Sequence, residues 1–188
     1  MSDPELAELM GRYCDGDQAA FRALYAAVAG KLLAYARSLM GSRAAAEDVL
    51  QRAFLKLHGA RASYVRGADP LPWLYTITHR VCLDELRSLQ RSRRVFEPER
   101  EEAPVEPRAG LDGKSEAEAS DADPRGALSL AALSQLPESH REVLLLTKVH
   151  GRSHAEAAAI LGITPGAVKL RAHRAYEKLR KLIPPAKQ

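Results

Sequence analysis

The last part of the chain, from Gly162 to Gln188, carries a concentration of basic side chains. It holds seven lysines and arginines against one acid, Glu177, which gives a net charge of +6. Cations placed along a helix neutralise phosphates, and those near its start reach base edges in the major groove of DNA. The charged polar positions are Lys169, Arg171, His173, Arg174, Lys178, Arg180 and Lys181. A helix whose charged face is only solvated has the same appearance, so the charge by itself leaves both interpretations open.

The residues just before these cations predict the two helices that would position them. Ser153 followed by Glu156 forms a capping box, and Gly162 suits the left-handed residue that ends a helix. Thr164 then caps a second helix, with Pro165 at its first position. Two helices joined by a short glycine turn are typical of a helix-turn-helix. This arrangement favours contact with DNA over a merely solvated helix.

The second of these helices has an apolar stripe that would pack against the rest of an all-α domain. Its members recur at steps of three and four residues and are Val168, Ala172, Ala175, Leu179 and Leu182. Upstream, the sequence predicts a short helix over residues 127–136 and a further helix from Glu138 to His150. Together these segments predict a second domain over residues 127–183.

The first half of the chain predicts three longer helices. They run from Asp17 to about Met40, from Ser42 to about His58, and from Pro72 onward. Asp17 and Ser42 are suitable N-caps, and Gly41 between the first two helices is a suitable stop. Because each helix has an apolar stripe, we expect the three to share one interior. The sequence therefore predicts a first domain over residues 1–95.

Charge is unevenly distributed between these two predicted domains and the segment that joins them. The whole chain has a net charge of +4, but Glu97–Arg125 contains ten acids and four bases. Few large apolar residues occur over 96–126, so this segment cannot bury enough surface to offset the entropy of ordering. We expect a disordered acidic linker, either a tether for domains that grip separate sites or a passive connection. Basic flanks around an acidic strip indicate that the flanks contact nucleic acid.

The segment Gly59–Leu71 predicts a loop, since it has two glycines, a proline and no apolar period. It contains Arg61, Tyr64 and Arg66. Cations beside an aromatic ring can hold phosphates while the ring stacks on an unpaired base. Tyr64 can equally pack the loop onto the helices, and composition does not separate these two roles.

Several other classes of site find no support in the sequence. His79 has no cysteine, histidine or acid at a metal-ligand spacing, so we expect a solvated or phosphate-facing histidine. Cys14 and Cys82 are far apart, and the sequence shows no secretion signal and no apolar run that would span a bilayer. These features predict a cytoplasmic protein with reduced thiols and no insertion into a membrane. We expect no metal, no cofactor and no catalytic residues, because nucleophile-elbow and phosphate-loop spacings are missing.

Two sets of motifs occur in the two predicted domains. The first set reads AEDVLQRAFLKL over 46–57 and WLYTITHRVCLDELR over 73–87. The second reads LPESHREVLLLTKVHGRSHAEAAAILGITPGAVKLRAHRAYEKLR over 136–180. In this order they resemble sigma region 2 and sigma region 4 of one known family, the extracytoplasmic-function (group 4) sigma factors of the sigma-70 family. The resemblance implies an all-α fold of two small domains, a helical bundle and a helix-turn-helix.

The resemblance also implies a function and its partners. Such a factor binds core RNA polymerase, recognises promoter DNA, helps to melt it and is usually inhibited by an anti-sigma factor. Three residues look like the face that meets the clamp helices of the largest polymerase subunit: Glu47, Asp48 and Gln51. An acidic and amide face on a rigid helix suits a basic partner, although without the resemblance it would be taken as a solvated helix face.

Two further groups of residues look like the readers of promoter DNA. The candidates for the minus ten element, where this family captures a flipped base, are Arg61, Tyr64, Arg66, His79, Arg80 and Arg87. The candidates for the minus thirty-five element are Thr164, Lys169, Leu170, Arg171, His173 and Arg174. Leu170 either contacts a thymine methyl or folds back into the core.

Two other functions fit parts of the sequence. One is a helix-turn-helix regulator whose first domain senses a ligand or dimerises, but such a domain has no reason to carry the motifs at 46–57 and 73–87. The other is an enzyme, which finds little support because serines, histidines and aspartates are scattered without catalytic spacing.

Overall fold

The computed structural model describes residues 3–96, 132–133 and 135–182, and the described residues form helices and turns with no strand among them. Four helices lie in the first half: α1 (Asp3–Cys14), α2 (Gln18–Met40), α3 (Arg43–Ala60) and α4 (Pro70–Phe96), with a short 3-10 turn at Arg61–Ser63. The second half contains α5 (Glu138–Leu144), a π-helical segment (Leu145–Val149), α6 (His154–Leu161) and α7 (Pro165–Leu182). The predicted all-α class is confirmed.

The helix caps predicted for the first half are confirmed at the predicted residues. The side chain of Asp17 accepts hydrogen bonds from the backbone N–H groups of Ala19 and Ala20, at 2.8 and 3.1 Å. Gly41 ends α2 in the left-handed conformation, with φ 70°. Ser42 then accepts from Ala45 N at 3.5 Å and starts α3. Each cap satisfies a backbone group that the first or last turn of a helix leaves unpaired.

Two features of the first half differ from the prediction. Helix α1 was not predicted, although Leu6, Met10 and Tyr13 are spaced for one helix face and are buried. Helix α4 begins at Pro70 rather than Pro72, because Asp69 Oδ1 accepts from Leu71 N at 2.9 Å and so caps the helix two residues earlier. Over residues 3–96 the structure therefore describes four helices, where three were expected.

The segment predicted as one helix from Glu138 to His150 changes its winding partway. Its second half is π-helical, and the N–H of His150 donates to Leu145 O at 2.9 Å. This wider turn accommodates an extra residue, and it sets the direction in which the side chain of His150 leaves the backbone. Of the short helix predicted over 127–136, Ala132 and Leu133 are described and helical, whereas Leu136 is not helical. The rest of that segment lies outside the described residues.

The two halves are in contact with each other. Helix α4 packs against α6, and α2 meets the π-helical segment. The acidic linker predicted over 96–126 lies outside the described residues, apart from Phe96 at the end of α4. Among the described helices, none combines the length and apolar character that crossing a membrane requires.

Candidate functional site

The helix-turn-helix is built by local hydrogen bonds. Ser153 Oγ accepts from Glu156 N at 3.2 Å, and Glu156 Oε2 accepts from Ser153 N at 2.7 Å, which completes the predicted capping box. Gly162 ends α6 with φ 67°. Thr164 Oγ1 then accepts from Ala167 N at 3.2 Å at the start of α7. These contacts fix the angle at which α7 leaves the turn, and they leave its first turn open to solvent.

Helix α7 has a buried side and an exposed basic side. Of the predicted apolar stripe, Val168, Ala172 and Ala175 are buried and Leu179 is half-buried, and the side chain of Leu182 lies outside the described part of the chain. The residues predicted to contact the minus thirty-five element lie away from this stripe: Thr164, Lys169, Leu170, His173 and Arg174 are exposed, and Arg171 is half-buried. Leu170 retains 49% of its accessible surface, so it does not fold back into the core. Such a face can meet both phosphates and bases.

An apolar groove of about 590 Å³ opens beside α3. Glu47 and Gln51 border it, one helical turn apart and both exposed. Its apolar lining includes Tyr25 and Leu55, which keep 43% and 67% of their surface exposed. An exposed apolar surface with a polar rim is typical of a site that docks another protein.

Asp48, the third residue of the predicted polymerase-binding face, is turned away from this groove. Its carboxylate pairs with Arg52 one turn along α3, and Arg52 Nη1 also donates to Glu85 Oε2 of α4 at 2.6 Å. The structure thus places Glu47 and Gln51 together and connects Asp48 to the junction of α3 and α4.

The loop between α3 and α4 packs against the helices, and its tyrosine ring is buried rather than free to stack on a base. Tyr64 is buried, its hydroxyl donates to Ala68 O, and its ring centroid lies 5.7 Å from that of Trp73. Arg61 Nη1 donates to His58 O at 2.6 Å, and Arg66 Nη1 donates to Asp15 Oδ2 of the first half at 2.9 Å. Of the two roles considered for Tyr64, this structure shows the packing role.

The prediction of a solvated or phosphate-facing His79 is wrong. Only 4% of its surface is exposed, and its Nδ1 shares a hydrogen bond of 3.0 Å with the hydroxyl of Tyr35. Burial, with a smaller contribution from Arg80, lowers the pKa of His79 to about 4, so the ring is neutral near pH 7. Helical periodicity explains the error, because His79 lies one turn after the buried Tyr75 on the inner face of α4.

Arg80 and Arg87 remain exposed on α4. They are seven residues apart, so they share a face of the helix. Arg87 Nη1 lies 3.7 Å from Asp84 Oδ1, and Asp84 also pairs with Lys56 of α3 at 3.0 Å. Surface pairs of this kind contribute little and exchange readily, so these cations can meet phosphates.

A further group of side chains, which the sequence analysis did not predict, lies where the two halves meet. The His150 ring centroid lies 5.2 Å from that of Tyr35, edge to face, and 6.1 Å from that of Tyr75. The guanidinium carbon of Arg152 lies 5.4 Å from the ring centroid of Tyr75. We call Tyr35, Tyr75, His150 and Arg152 the interdomain cluster. Its members are 75 or more positions apart across the junction, so no local pattern reveals it.

Glu142 of α5 is a buried carboxyl close to this cluster. It is 8% exposed, and its burial, followed by repulsion from Glu138, raises its pKa to about 7. Its charge in turn contributes to raising the pKa of Tyr35, after the larger effect of burial.

Comparison with known proteins identifies the two halves separately. The family model for sigma-70 region 2 matches residues 24–92, and that for sigma-70 region 4 matches residues 130–179. The RNA polymerase sigma factor CarQ of Myxococcus xanthus is 39% identical over 175 residues, covering 93% of this chain and 95% of CarQ. The ECF RNA polymerase sigma factor SigF of Caulobacter vibrioides is 34% identical over 184 residues, covering 95% of each chain.

Solved structures give the same result for the fold. CnrH, in complex with the cytosolic domain of CnrY, superposes with a TM-score of 0.69 at 26% identity and covers 95% of this chain and 96% of that one. The sigma factor RpoE of Bartonella quintana, in complex with the anti-sigma factor NepR, gives a TM-score of 0.67 at 25% identity, over 89% of this chain and 98% of that one.

These matches cover both domains and favour neither a ligand-sensing regulator nor an enzyme. The chain belongs to the extracytoplasmic-function class of the sigma-70 family and is an RNA polymerase sigma factor, which directs promoter recognition in transcription initiation.

Proposed function

We propose that the second domain, over residues 127–183, reads the minus thirty-five element through α7. The observation that carries this proposal is the exposed face of α7, held at a fixed angle by the capping box and by Gly162. Lys169, Arg171 and Arg174 supply cations for phosphates and base edges, and Leu170 supplies an apolar contact for a thymine methyl. Thr164 and His173 complete the set at the start and middle of the helix.

The first domain, over residues 1–95, docks on the clamp helices of the largest polymerase subunit. Glu47 and Gln51 support this role because they border the apolar groove beside α3. Apolar side chains of the partner would fill the groove, while basic or amide groups would meet the rim. Asp48 contributes from the adjacent face. Its surface ion pair with Arg52 contributes little free energy, so Asp48 can exchange Arg52 for a basic group of the polymerase.

The same domain holds the minus ten element against α4 and the loop before it. Arg80 and Arg87 bind phosphates of the DNA from the exposed face of α4. Arg61 and Arg66 provide further positive charge from the loop. Tyr64 shapes the loop by packing on Trp73. His79 supports this surface from inside α4 through its bond to Tyr35 and does not itself contact DNA.

The proposed partners follow from these surfaces. They are core RNA polymerase, promoter DNA and an anti-sigma factor. A partner of the last kind, NepR, is bound to the similar sigma factor RpoE of Bartonella quintana in its solved complex. The groove beside α3 is one surface that an anti-sigma helix can occupy, in competition with the polymerase. We place the protein in the cytoplasm, where it meets the polymerase, and assign it no catalytic residue of its own.

The polymerase-binding face is tested by substituting the groove rim. In the Glu47→Ala/Gln51→Ala variant we expect core polymerase to bind at least tenfold more weakly, which corresponds to about 1.4 kcal/mol lost from the two truncated contacts together. Binding is measured by fluorescence anisotropy with labelled full-length chain and purified core polymerase.

The matched control is Glu8→Ala/Gln90→Ala, which removes the same two side-chain types from exposed positions on α1 and α4. We expect the control to bind core polymerase as the natural chain does. Equal affinities for the two double variants would remove Glu47 and Gln51 from the interface.

A further inference from the structure

We propose that Lys56 of α3 is a further contact for phosphates of the promoter strand, and that Asp84 of α4 occupies this contact in the free protein and lowers its affinity for nucleic acid. The proposal rests on the proposed function, in which Arg80 and Arg87 of α4 bind phosphates near the minus ten element. It adds to these arginines one cation from the neighbouring helix and one acid that competes with the DNA.

Four charged residues form a straight line along the outer side of α4, which we call the charged stripe. Arg80, Asp84, Arg87 and Arg91 follow each other at steps of four, three and four residues, so they share one face of the helix, and all four are exposed. With a rise of about 1.5 Å per residue, the stripe is about 16 Å long, which matches roughly five nucleotides of a strand at about 3.4 Å each. Its three cations suit a run of phosphates, whereas Asp84 repels one.

The carboxylate of Asp84 is held by cations of both helices. Its Oδ2 accepts from Lys56 Nζ at 3.0 Å, and its Oδ1 lies 3.7 Å from Arg87 Nη1. The side chains of Lys56 and Asp84 are each 56% exposed, so a phosphate can reach the same ammonium group from solvent. Carboxylate and phosphate oxygens are alternative acceptors for one cation. A strand that follows the charged stripe therefore takes the place of Asp84 and gains Lys56 as a contact.

A second ion pair joins the same two helices without Asp84. Arg52 Nη1 donates to Glu85 Oε2 at 2.6 Å, and the side chain of Glu85 is only 19% exposed. A pair of exposed charges contributes little to stability, because water solvates both groups and salt screens them. Asp84 can thus exchange its partners at little cost in free energy, while Arg52 and Glu85 keep α3 and α4 connected.

The exchange gives the effect of Asp84 a definite sign. In the free chain its carboxylate neutralises part of the charge of Lys56 and Arg87, so fewer counterions are released when a strand binds. The affinity for nucleic acid is therefore lower and depends less steeply on salt than the cations alone would give. Because phosphates carry no sequence information, the effect is the same for strands of different sequence. Asp84 thus limits the binding of the free chain to DNA of any sequence.

The test measures binding of the full-length chain to labelled single-stranded oligonucleotides by fluorescence anisotropy over a range of salt concentrations. Two probes of equal length, one of thymidines and one of cytidines, differ only in sequence. In Asp84→Asn we expect roughly threefold tighter binding to both probes at about 0.1 M salt. The slope of log affinity against log salt should be steeper by about 0.7, the value for one phosphate of a single strand.

The matched control is Glu8→Gln, which makes the same charge change at an exposed position of α1. We expect it to alter the affinity much less, because it lies outside the charged stripe. Equal gains in the two variants would report only net charge and would overturn the proposal. An unchanged urea midpoint in Asp84→Asn shows that the fold is retained.

Lys56 is tested in the Asp84→Asn background, because in the natural chain its removal also deprives Asp84 of a partner. We expect Lys56→Ala in this background to weaken binding roughly threefold and to make the salt slope shallower by about 0.7. The control is Lys31→Ala, which removes an exposed lysine of α2. Equal affinities with and without Lys56 in this background would overturn its assignment as a phosphate contact.

A separate variant tests the function on which the proposal rests. Arg80→Ala/Arg87→Ala should weaken binding to both probes, since it removes two cations of the charged stripe. Unchanged binding in this variant would contradict the proposed role of α4 in holding DNA. A loss in this variant together with no gain in Asp84→Asn would contradict only the role given to Asp84.

Discussion

The hydroxyl of Tyr35 and Nδ1 of His79 lie 3.0 Å apart in the interior of the first domain and share a hydrogen bond between α2 and α4. Both side chains are buried, at 0% and 4% exposure. His79, which the sequence analysis proposed as a DNA contact, thus connects two helices of the bundle. The ring of Tyr35 also makes an edge-to-face contact with the ring of His150, which belongs to the second domain.

We expect Tyr35→Phe to lower the free energy of unfolding by about 1–3 kcal/mol, because it leaves Nδ1 of a buried histidine without its partner. The ring and its packing are retained, so the loss reports the hydrogen bond. Urea denaturation at pH 7 measures it. The control is Tyr25→Phe, which removes a hydroxyl from a ring that is 43% exposed. Equal effects of the two substitutions would show that the Tyr35 hydroxyl contributes nothing specific.

Glu142 predicts a pH dependence of stability. Its pKa is about 7 in the folded chain, above the ordinary value of 4.5, so the folded state retains a proton that the unfolded state releases. The resulting stability is fully present below pH 4.5 and is lost as the pH rises through 7. The groups that face it are Glu138, Arg141 and Arg171 of its own domain and Tyr35 and Cys82 of the other.

Glu142→Gln removes this ionisation. At pH 8 we expect the variant to be more stable than the natural chain by on the order of 2–3 kcal/mol, and near pH 4.5 we expect the difference to vanish. Urea titrations at both pH values make the comparison, with Glu177→Gln on the exposed face of α7 as the control. A difference that does not change with pH would contradict the assignment of this proton to Glu142.

Gly162 gives a prediction about the turn of the helix-turn-helix. Gly162→Ala should destabilise the second domain by about 1–2 kcal/mol, because alanine is strained in the left-handed conformation that φ 67° requires. Gly166 lies in the first turn of α7 without a positive φ, and a Cβ there meets nothing closer than 4.0 Å. Gly166→Ala should therefore stabilise the helix by about 0.5–1 kcal/mol. Thermal unfolding distinguishes the two, and shifts of the same sign would be inconsistent with this geometry.

Arg174 tests the proposed recognition face. If its guanidinium reaches a base, Arg174→Ala should weaken use of promoters by about 1–3 kcal/mol and reduce discrimination at one position of the upstream element. If it reaches only a phosphate, the loss should be similar for all sequences and the salt dependence should become shallower. Transcription from promoters with single base changes measures both. Arg180→Ala, six residues further along α7, is the control, and unchanged transcription in Arg174→Ala would remove Arg174 from the face.

Local signals predicted much of this fold. Asp17, Ser42, Ser153 and Thr164 all cap helices as expected, because a cap and the N–H groups that it satisfies lie within three residues. The start of α4 was placed two residues late, although Asp69 before Pro70 is the same kind of signal.

The remaining differences arise from contacts between distant parts of the chain. Tyr35 and His79 are 44 residues apart, so nothing near His79 showed that its ring nitrogen has a buried partner. The interdomain cluster depends on an even longer separation, between Tyr35 and His150. Patterning along one helix predicts which face is buried, but it does not predict which polar residue on that face finds a partner.

The most direct test of the account is to sequence the 5′ ends of transcripts made on genomic DNA by core polymerase with this chain. We expect starts that depend on the chain and are preceded by two shared elements at nearly constant spacing. With Lys169→Ala/Arg174→Ala, use of these promoters should fall and the preference at the upstream element should weaken, whereas the preference at the downstream element should be retained. Starts that do not depend on the chain, or that lack a shared upstream element, would contradict the claim that its two domains read one promoter together.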